Sequence, residues 1–385
     1  MAQRIILNET SYFGQGALAN LKEEIMKRGY KKALIVTDAN LVACGVTAKV
    51  TDILDANGFA YNTFSQVKAN PTVEVVKKAV NAFVLSGADY IIAIGGGSPI
   101  DTAKAVGIII KNPQFSDVVS LEGAQNTPKK AVPTIAIPTT AGTAAEVTIN
   151  YVITDEDKKR KFVCVDVHDI PQVAIVDPDM MASMPRALVA ATGMDALTHA
   201  IEGYTTKGAW EMTDMFHLQA IKMIAANLKA AVDGDMHAKE EMATAQYIAG
   251  MGFSNVGLGV VHGMAHPLGA FYDTPHGVAN AVLLPYVMEH NADATGERYR
   301  EIARAMGVQN VDGMNADEYR AAAVNAVREL SRAVEIPQTL AEIGVLEADL
   351  EALASSAMCD VCTGGNPKDM TEQSILGVYK WALNG

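Results

Sequence analysis

The sequence predicts an α/β domain built on a mostly parallel sheet, followed by an all-α domain. Short apolar runs alternate with segments of helical spacing in the first half of the chain, an alternation typical of parallel strands that helices cover on both faces. Strand-like runs almost vanish after Met184-Pro185, and the segments beyond have helical spacing. We therefore place a domain boundary there, with one domain over 1–185 and a second over 186–385.

Apolar runs in the first domain predict buried strands at 33–37, 90–94, 134–137 and 173–176. Helices are predicted at 41–57, 71–86 and 100–111. Pro99 precedes the last of them, in the first turn, where a helix accepts proline. The segments 150–154 and 161–165 flank a polar turn and predict a β-hairpin. In the second domain, helices are predicted at 186–205, 212–232, 238–254, 294–306, 316–334 and 347–357.

The composition excludes several classes of protein. With 49% apolar and 19% charged residues, the chain can bury enough surface to fold, which excludes intrinsic disorder. The 31 Lys and Arg against 44 Asp and Glu give a net charge of −13, which argues against a nucleic-acid partner. No apolar run reaches the ~18 residues that span a bilayer, no secretory signal is recognisable, and four cysteines make no disulfide framework. We expect a cytoplasmic protein with no membrane partner.

A glycine turn predicts a nucleotide site in the first domain. Gly95-Gly96-Gly97-Ser98 follows a predicted strand and opens a helix, so that backbone N–H groups and the helix dipole can face a pyrophosphate. The spacing is not the common dinucleotide fingerprint, and a plain strand-to-helix turn is the alternative. Asp38 ends the first strand, where a carboxylate can bind an adenosine ribose and repel a 2′-phosphate, which favours NAD over NADP; a solvent-exposed loop aspartate is its alternative.

The loop after the third strand adds threonines to this edge of the predicted sheet. Thr139, Thr140 and Thr143 follow the strand's carboxyl end, which is where ligands bind in open α/β sheets. Threonines are common in loops, so these residues support a ligand-binding loop only together with the glycine turn.

Acidic and imidazole side chains in the second domain predict a metal site. Asp195 and His199 are four residues apart on an apolar helix and so share one face; a structural Asp–His hydrogen bond is the alternative. His262 and His266 repeat the spacing, and His276 follows in a similar apolar, glycine-containing setting. One Asp with three neutral His suits Zn²⁺ or Fe²⁺ and suits Mg²⁺ or Ca²⁺ poorly. Such a cation with an open position can polarise a carbonyl or stabilise an alkoxide.

Four motifs resemble those of the iron-containing alcohol dehydrogenase family. They are GGGSPIDTAK at 95–104, AIPTTAGTAAEVT at 136–148, GMDALTHAIEGY at 193–204 and GLGVVHGMAHPLGAFYDTPHGVANA at 257–281. The resemblance covers essentially the whole chain and implies an N-terminal α/β dinucleotide domain and a C-terminal helical metal domain. AGTAAE replaces the AGTGSE of many members, which puts the exact shape of that loop in doubt.

The resemblance also implies a role for individual residues. The metal ligands are Asp195, His199, His262 and His276, with Fe²⁺ favoured in cells and Zn²⁺ as the alternative. His266 lies near the nicotinamide and substrate and is the candidate catalytic residue for a proton relay. The cofactor-lining positions are Asp38, Asn70, Gly96, Gly97, Ser98, Thr139, Thr140, Thr143, Asn150, Lys161 and Cys362.

The implied reaction is reversible hydride transfer with NAD(H), and further matching segments imply lactaldehyde and 1,2-propanediol as the substrate pair. Glycerol or butanol dehydrogenase activity is an alternative within the family. A dehydroquinate synthase-like lyase would need a basic pocket, whereas 193–204 and 257–281 contain no Lys or Arg. A binding protein without catalysis is disfavoured because the ligands are intact. The resemblance further implies a homodimer, to which the segment near Ile5–Asn8 contributes.

Overall fold

The computed structural model describes residues 2–385. Contacts between Cα atoms divide the chain into two compact units. The first unit ends at Met184 and leaves out 141–143, and the second combines 141–143 with Pro185–Gly385.

The first unit has α/β architecture. Its strands are β1 (Thr10–Phe13), β2 (Lys32–Asp38), β3 (Ala60–Val67), β4 (Tyr90–Gly95), β5 (Gly123–Ala124), β6 (Thr134–Pro138), β7 (Asn150–Asp155), β8 (Arg160–Val165) and β9 (Val173–Val176). Its helices are α1 (Leu21–Arg28), α2 (Ala39–Ala43), α3 (Val46–Ala56), α4 (Val73–Ser86) and α5 (Gly97–Lys111). Six of the strands described form one sheet, in the order β1-β9-β6-β4-β2-β3. Every neighbouring pair in it is parallel, so the carboxyl ends of the strands lie at one edge.

Both faces of this sheet are buried, as apolar strands without alternation predict. Along β2, Ile35 packs into the cluster formed with α1 and α3. Its neighbours Leu34 and Val36 face the other way, into the cluster formed with α4 and α5. A smaller sheet, in the order β5-β8-β7, contains the antiparallel hairpin β7–β8 and packs its apolar residues together with α5.

The second unit is helical. Its helices are α6 (Arg186–Thr205), α7 (Glu211–Val232), α8 (Met236–Val256), α9 (Val260–Tyr272), α10 (His276–Asn291), α11 (Arg298–Ala305), α12 (Ala316–Ala333), α13 (Leu350–Met358) and α14 (Glu372–Asn384). Helix α6 is buried from Val189 to Thr205 along its whole circumference, so it forms the centre of this unit. A polar residue on α6 is therefore a core residue and needs partners there.

The predicted fold class is confirmed: a parallel α/β unit precedes a helical unit. The predicted hairpin is confirmed as β7–β8. The single helix predicted at 41–57 is wrong, because the chain turns at Cys44 and Gly45 and separates α2 from α3.

Seven of the elements described were not predicted: β1, β3, β5, α1, α9, α10 and α14. Strand β3 lies at the sheet edge and is largely polar, which removes the apolar signal. Pro267 and Pro285 lie inside α9 and α10, and a proline inside a segment argues against a helix there.

No single helix within 2–385 has the length and hydropathy to cross a membrane. The pair α8 and α9 passes that test only jointly, with a bend of 102° between the two helices.

Candidate functional site

Three helices of the second unit bring four predicted ligands together. Asp195 and His199 lie one turn apart on α6, His262 lies in the first turn of α9, and His276 begins α10. One ligand atom from each lies within 4.8 Å of every other. Asp195, His199 and His262 are buried, whereas 27% of the His276 side chain is exposed. The cluster is thus closed on most sides and reachable at His276.

The imidazole rings lie against one another. The His199 and His262 rings are stacked with centroids 4.5 Å apart, and the His262 and His276 centroids are 5.3 Å apart. The Nε2 atom of His276 is 3.8 Å from Oδ1 of Asp195. Burial, with His262 adding to it, holds the pKa of His199 well below its usual range, so this ring is neutral, the form that binds a metal ion.

Asn280 lies among these ligands and was not predicted. Its Nδ2 group donates to Oδ1 of Asp195 at 2.7 Å and lies 3.1 Å from Nε2 of both His262 and His276. The Asn280 side chain, which contacts three of the candidate ligands, is fully buried. Its position four residues after His276, on the same face of α10, is the signal that could have identified it.

The donor set fits a transition metal or zinc ion. One carboxylate and three imidazoles are ligands that Zn²⁺ and Fe²⁺ accept, whereas Mg²⁺ and Ca²⁺ prefer oxygen alone. Three of the four groups are buried together, where a carboxylate and converging imidazole nitrogens are costly without a cation. These residues therefore lie close enough together, and have the chemistry, to hold such an ion.

Two histidines of the site each have a carboxylate at Nδ1. Glu202, also on α6, lies 2.6 Å from Nδ1 of His262. Asp360 lies 2.7 Å from Nδ1 of His266. Neither acid was predicted, although Glu202 could have been found as a glutamate in the apolar helix that carries Asp195 and His199. No local pattern could have paired Asp360 with a histidine 94 residues away.

His266 lies beside the ligand cluster, with its ring stacked on that of His276 at a centroid distance of 5.4 Å. Burial alone would raise the pKa of Asp360, but the charge of His266 and the hydrogen bond with it outweigh burial and lower that pKa. Asp360 also accepts from the backbone N–H of Cys362 at 2.9 Å. Burial raises the pKa of the Cys362 thiol, which is therefore a protonated neighbour of this pair.

In the first unit, the glycine turn joins β4 to α5. Gly96 is the N-cap of α5, and Gly97 and Ser98 form its first turn, so their N–H groups lie at the positive end of the helix dipole. Gly95 has φ +155°, and a Cβ there would lie 2.3 Å from Cγ of Pro99. Only glycine fits this turn, which keeps the start of α5 close to the strand end.

The other predicted cofactor residues of this unit lie at or near strand ends. Asp38 ends β2, and its Oδ1 accepts from the N–H groups of Asn40 and Leu41, so it caps α2. Thr139 and Thr140 follow β6, and the Thr139 N–H donates to the Gly95 carbonyl at 2.9 Å. Thr143 belongs to the short segment that groups with the second unit.

Asn70, Asn150 and Lys161 take part in two separate hydrogen bonds. Nζ of Lys161, on β8, donates to Oδ1 of Asn70 at 2.6 Å. Asn150 begins β7, and its carbonyl accepts from Nζ of the buried Lys104 at 2.8 Å. Lys104, on the helix that follows the glycine turn, was not predicted.

Comparison with known proteins places the chain in a group of related enzymes. A family model described as "Iron-containing alcohol dehydrogenase" matches residues 8–178, and one described as "Fe-containing alcohol dehydrogenase family, C-terminal" matches 189–383. Lactaldehyde reductase of Escherichia coli strain K12 is 64% identical over 382 residues, which cover 99% of this chain and 100% of the relative.

Solved structures agree along the full length. That of a 1,3-propanediol oxidoreductase has a TM-score of 0.96 at 39% identity and covers 100% of both chains. Sulfoacetaldehyde reductase from Bifidobacterium kashiwanohense, solved in complex with NAD+, has a TM-score of 0.88 at 29% identity, covering 100% of this chain and 99% of that one.

Proposed function

The chain belongs to the iron-containing alcohol dehydrogenase family, and on that premise we propose that it interconverts lactaldehyde and 1,2-propanediol with NAD(H) and a divalent metal ion. The observation that carries the proposal is the convergence of Asp195, His199, His262 and His276 within 4.8 Å. Identity of 64% to a lactaldehyde reductase over the whole chain supports this substrate pair.

When bound, NADH would supply the hydride for the carbonyl carbon of lactaldehyde, and the divalent cation would polarise the carbonyl oxygen; one proton would complete 1,2-propanediol. Asp195, His199, His262 and His276 would hold the cation, with Fe²⁺ favoured over Zn²⁺. The N–H groups of Gly96, Gly97 and Ser98 would bind the pyrophosphate at the start of α5. Further cofactor contacts are proposed for Asp38, Asn70, Thr139, Thr140, Thr143, Asn150, Lys161 and Cys362.

His266 is proposed to hold or move the proton at Nε2. Asp360 lies 2.7 Å from Nδ1 of His266 and stabilises a proton on that nitrogen. The lone pair of the ring is then on Nε2, where a proton can be exchanged. The stacked His276 ring limits rotation of His266, which keeps Nε2 in one direction.

The wider assignment follows from the same premise. We propose an NAD-binding domain over 1–185 and a metal-binding domain over 186–385 in a cytoplasmic homodimer. Strand β1 is the edge of the parallel sheet, and an edge strand can pair with a second chain. The partner in the reaction is a small aldehyde or alcohol, with no nucleic acid and no membrane required.

The proposal is tested by NADH oxidation with lactaldehyde after chelation and anaerobic reloading with Fe²⁺ or Zn²⁺. We expect turnover that depends on the added ion and an approximately unchanged NADH affinity in the chelated protein. Butanal is the comparison substrate for NADH oxidation, and glycerol and 1,3-propanediol are compared with 1,2-propanediol in the reverse direction, by reduction of NAD+. Turnover only with one of these would retain the chemistry and overturn the substrate, whereas full turnover of lactaldehyde without any metal would overturn the mechanism.

A further inference from the structure

A second carboxylate on α6 lies behind the metal ligands. Glu202 is one turn beyond His199, and only 5% of its side chain is exposed. A carboxylate buried to this degree must be matched by donors. Its donors come from the start of α9, which also carries His262.

Both oxygens of Glu202 are used at that helix start. Oε1 accepts from the Val261 backbone N–H at 2.6 Å. Oε2 lies 2.6 Å from Nδ1 of His262 and 3.4 Å from its backbone N. The carboxylate therefore contacts the His262 residue at both the ring and the backbone.

The N-terminus of α9 is built to receive this acid. Its N-cap residue, Gly259, has no side chain to cap the helix, and a Cβ there would lie 2.8 Å from Oε1 of Glu202. Glu202 takes the place of a local cap, and its negative charge lies at the positive end of the helix dipole. These contacts at the helix start hold the Glu202 carboxylate in place independently of the His262 ring.

The opposite side of the His262 ring faces the ligand cluster. Its Nε2 lies 3.1 Å from Nδ2 of Asn280, which in turn donates to Oδ1 of Asp195. A carboxylate at Nδ1 selects the tautomer with hydrogen on Nδ1 and leaves the lone pair on Nε2. The lone pair then lies on the side of Asp195 and His276.

We propose that Glu202 is a positioning residue for the metal centre, which holds His262 in the tautomer and orientation that present Nε2 to the ion. This proposal rests on the metal site proposed above. Carboxylates behind a ligating histidine also raise its basicity, and their loss typically costs about 10- to 100-fold in metal affinity.

The test is metal affinity of the full chain, measured with Zn²⁺ against a chromophoric chelator. We expect Glu202→Gln to bind Zn²⁺ about 10- to 100-fold more weakly than the wild type. The visible spectrum of the Co²⁺-loaded variant should also differ, because the orientation of one imidazole changes. Glu289→Gln, on the exposed surface of α10, is the matched control and should leave both readouts unchanged.

A purely structural role gives a different result. In Glu202→Gln the new amide oxygen can still accept from the Val261 N–H, so the helix cap is largely retained. Wild-type Zn²⁺ affinity, or weaker binding that follows thermal stability with an unchanged Co²⁺ spectrum, would overturn the proposal. Glu202→Asp, which retains the charge but shortens the reach, replaces this variant if it does not fold, with the same weakening expected.

His262→Ala separates the two proposals. Loss of Zn²⁺ binding in His262→Ala together with wild-type binding in Glu202→Gln would overturn the role of Glu202 alone. Wild-type Zn²⁺ binding in His262→Ala would overturn the metal site itself.

Discussion

Two buried polar clusters, one in each unit, differ in the source of their positive charge. In the first unit, Nζ of Lys104 donates to the Thr148 carbonyl at 2.7 Å, to Oγ1 of Thr148 at 2.8 Å and to the Asn150 carbonyl at 2.8 Å. Burial raises the pKa of the nearby Asp101 to about 7, against the attraction of Lys104. Burial also raises the pKa of Asp169, again against that attraction. The cation here is part of the chain.

The cluster in the second unit consists of electron-pair donors. The two sequence segments that form it contribute no cationic side chain. Asp195, Glu202 and three imidazoles converge, and the segments 193–204 and 257–281 contain no Lys or Arg. A divalent cation would balance the two carboxylates. The comparison teaches that buried polarity alone does not identify a site: the cluster that includes its own ammonium group needs no ion, whereas the one made of donors is the one for which we propose a metal ion.

The largest effect is expected from His262→Ala, which removes one donor from the second cluster. We expect loss of bound metal and a fall in turnover of at least ~10³-fold, since a Lewis acid contributes several kcal/mol at the transition state. NADH affinity, measured by fluorescence titration, should stay within about twofold. His237→Ala, at an exposed position of α8, is the control. Near-normal turnover by a variant that holds no metal would remove the distinction between the clusters.

Lys104→Met tests the first cluster in the opposite sense. The substitution leaves two buried carbonyls without their donor and removes the ammonium group that attracts Asp101 and Asp169, so we expect a loss of about 3 kcal/mol in the free energy of unfolding. Urea unfolding measures it, and the metal content should be unchanged. Lys111→Met, at the exposed end of the same helix, should cost little. Equal stability of the two variants would show that Lys104 is not the structural cation of its cluster.

The two clusters also differ in how far sequence predicts them. The candidate ligands were identifiable because Asp195 and His199 share one helical face, because residue types limit the chemistry, and because the resemblance to the family separates His262 and His276 from His266. Lys104 has no such signal, since only the fold brings its partners to it, two backbone carbonyls and the Thr148 hydroxyl. Asp360 likewise meets His266 through tertiary structure.

The fold shows the same division. Apolar strands such as β4 were predictable from their uninterrupted apolar runs, and the sheet buries them on both faces. Helices α9 and α10 were not, because each contains an internal proline, which argues against a helix in a sequence. These two helices carry three of the histidines at the site, so the residues were predicted without the elements that position them.

The smallest effect is expected at the edge of the first sheet. Asp38→Asn removes a negative charge while the amide Oδ1 can still cap α2 through Asn40 and Leu41. If Asp38 faces the adenosine ribose, less repulsion of a 2′-phosphate should raise the ratio of NADPH to NADH use by about 10-fold, which corresponds to ~1.4 kcal/mol. The ratio of kcat/KM values measures this change, and Asp52→Asn, exposed on α3, controls for net charge. Because the cap is retained, a loss of stability cannot account for a changed ratio. An unchanged ratio would mean that Asp38 serves α2 alone, and cofactor preference would then depend on other residues of the first unit.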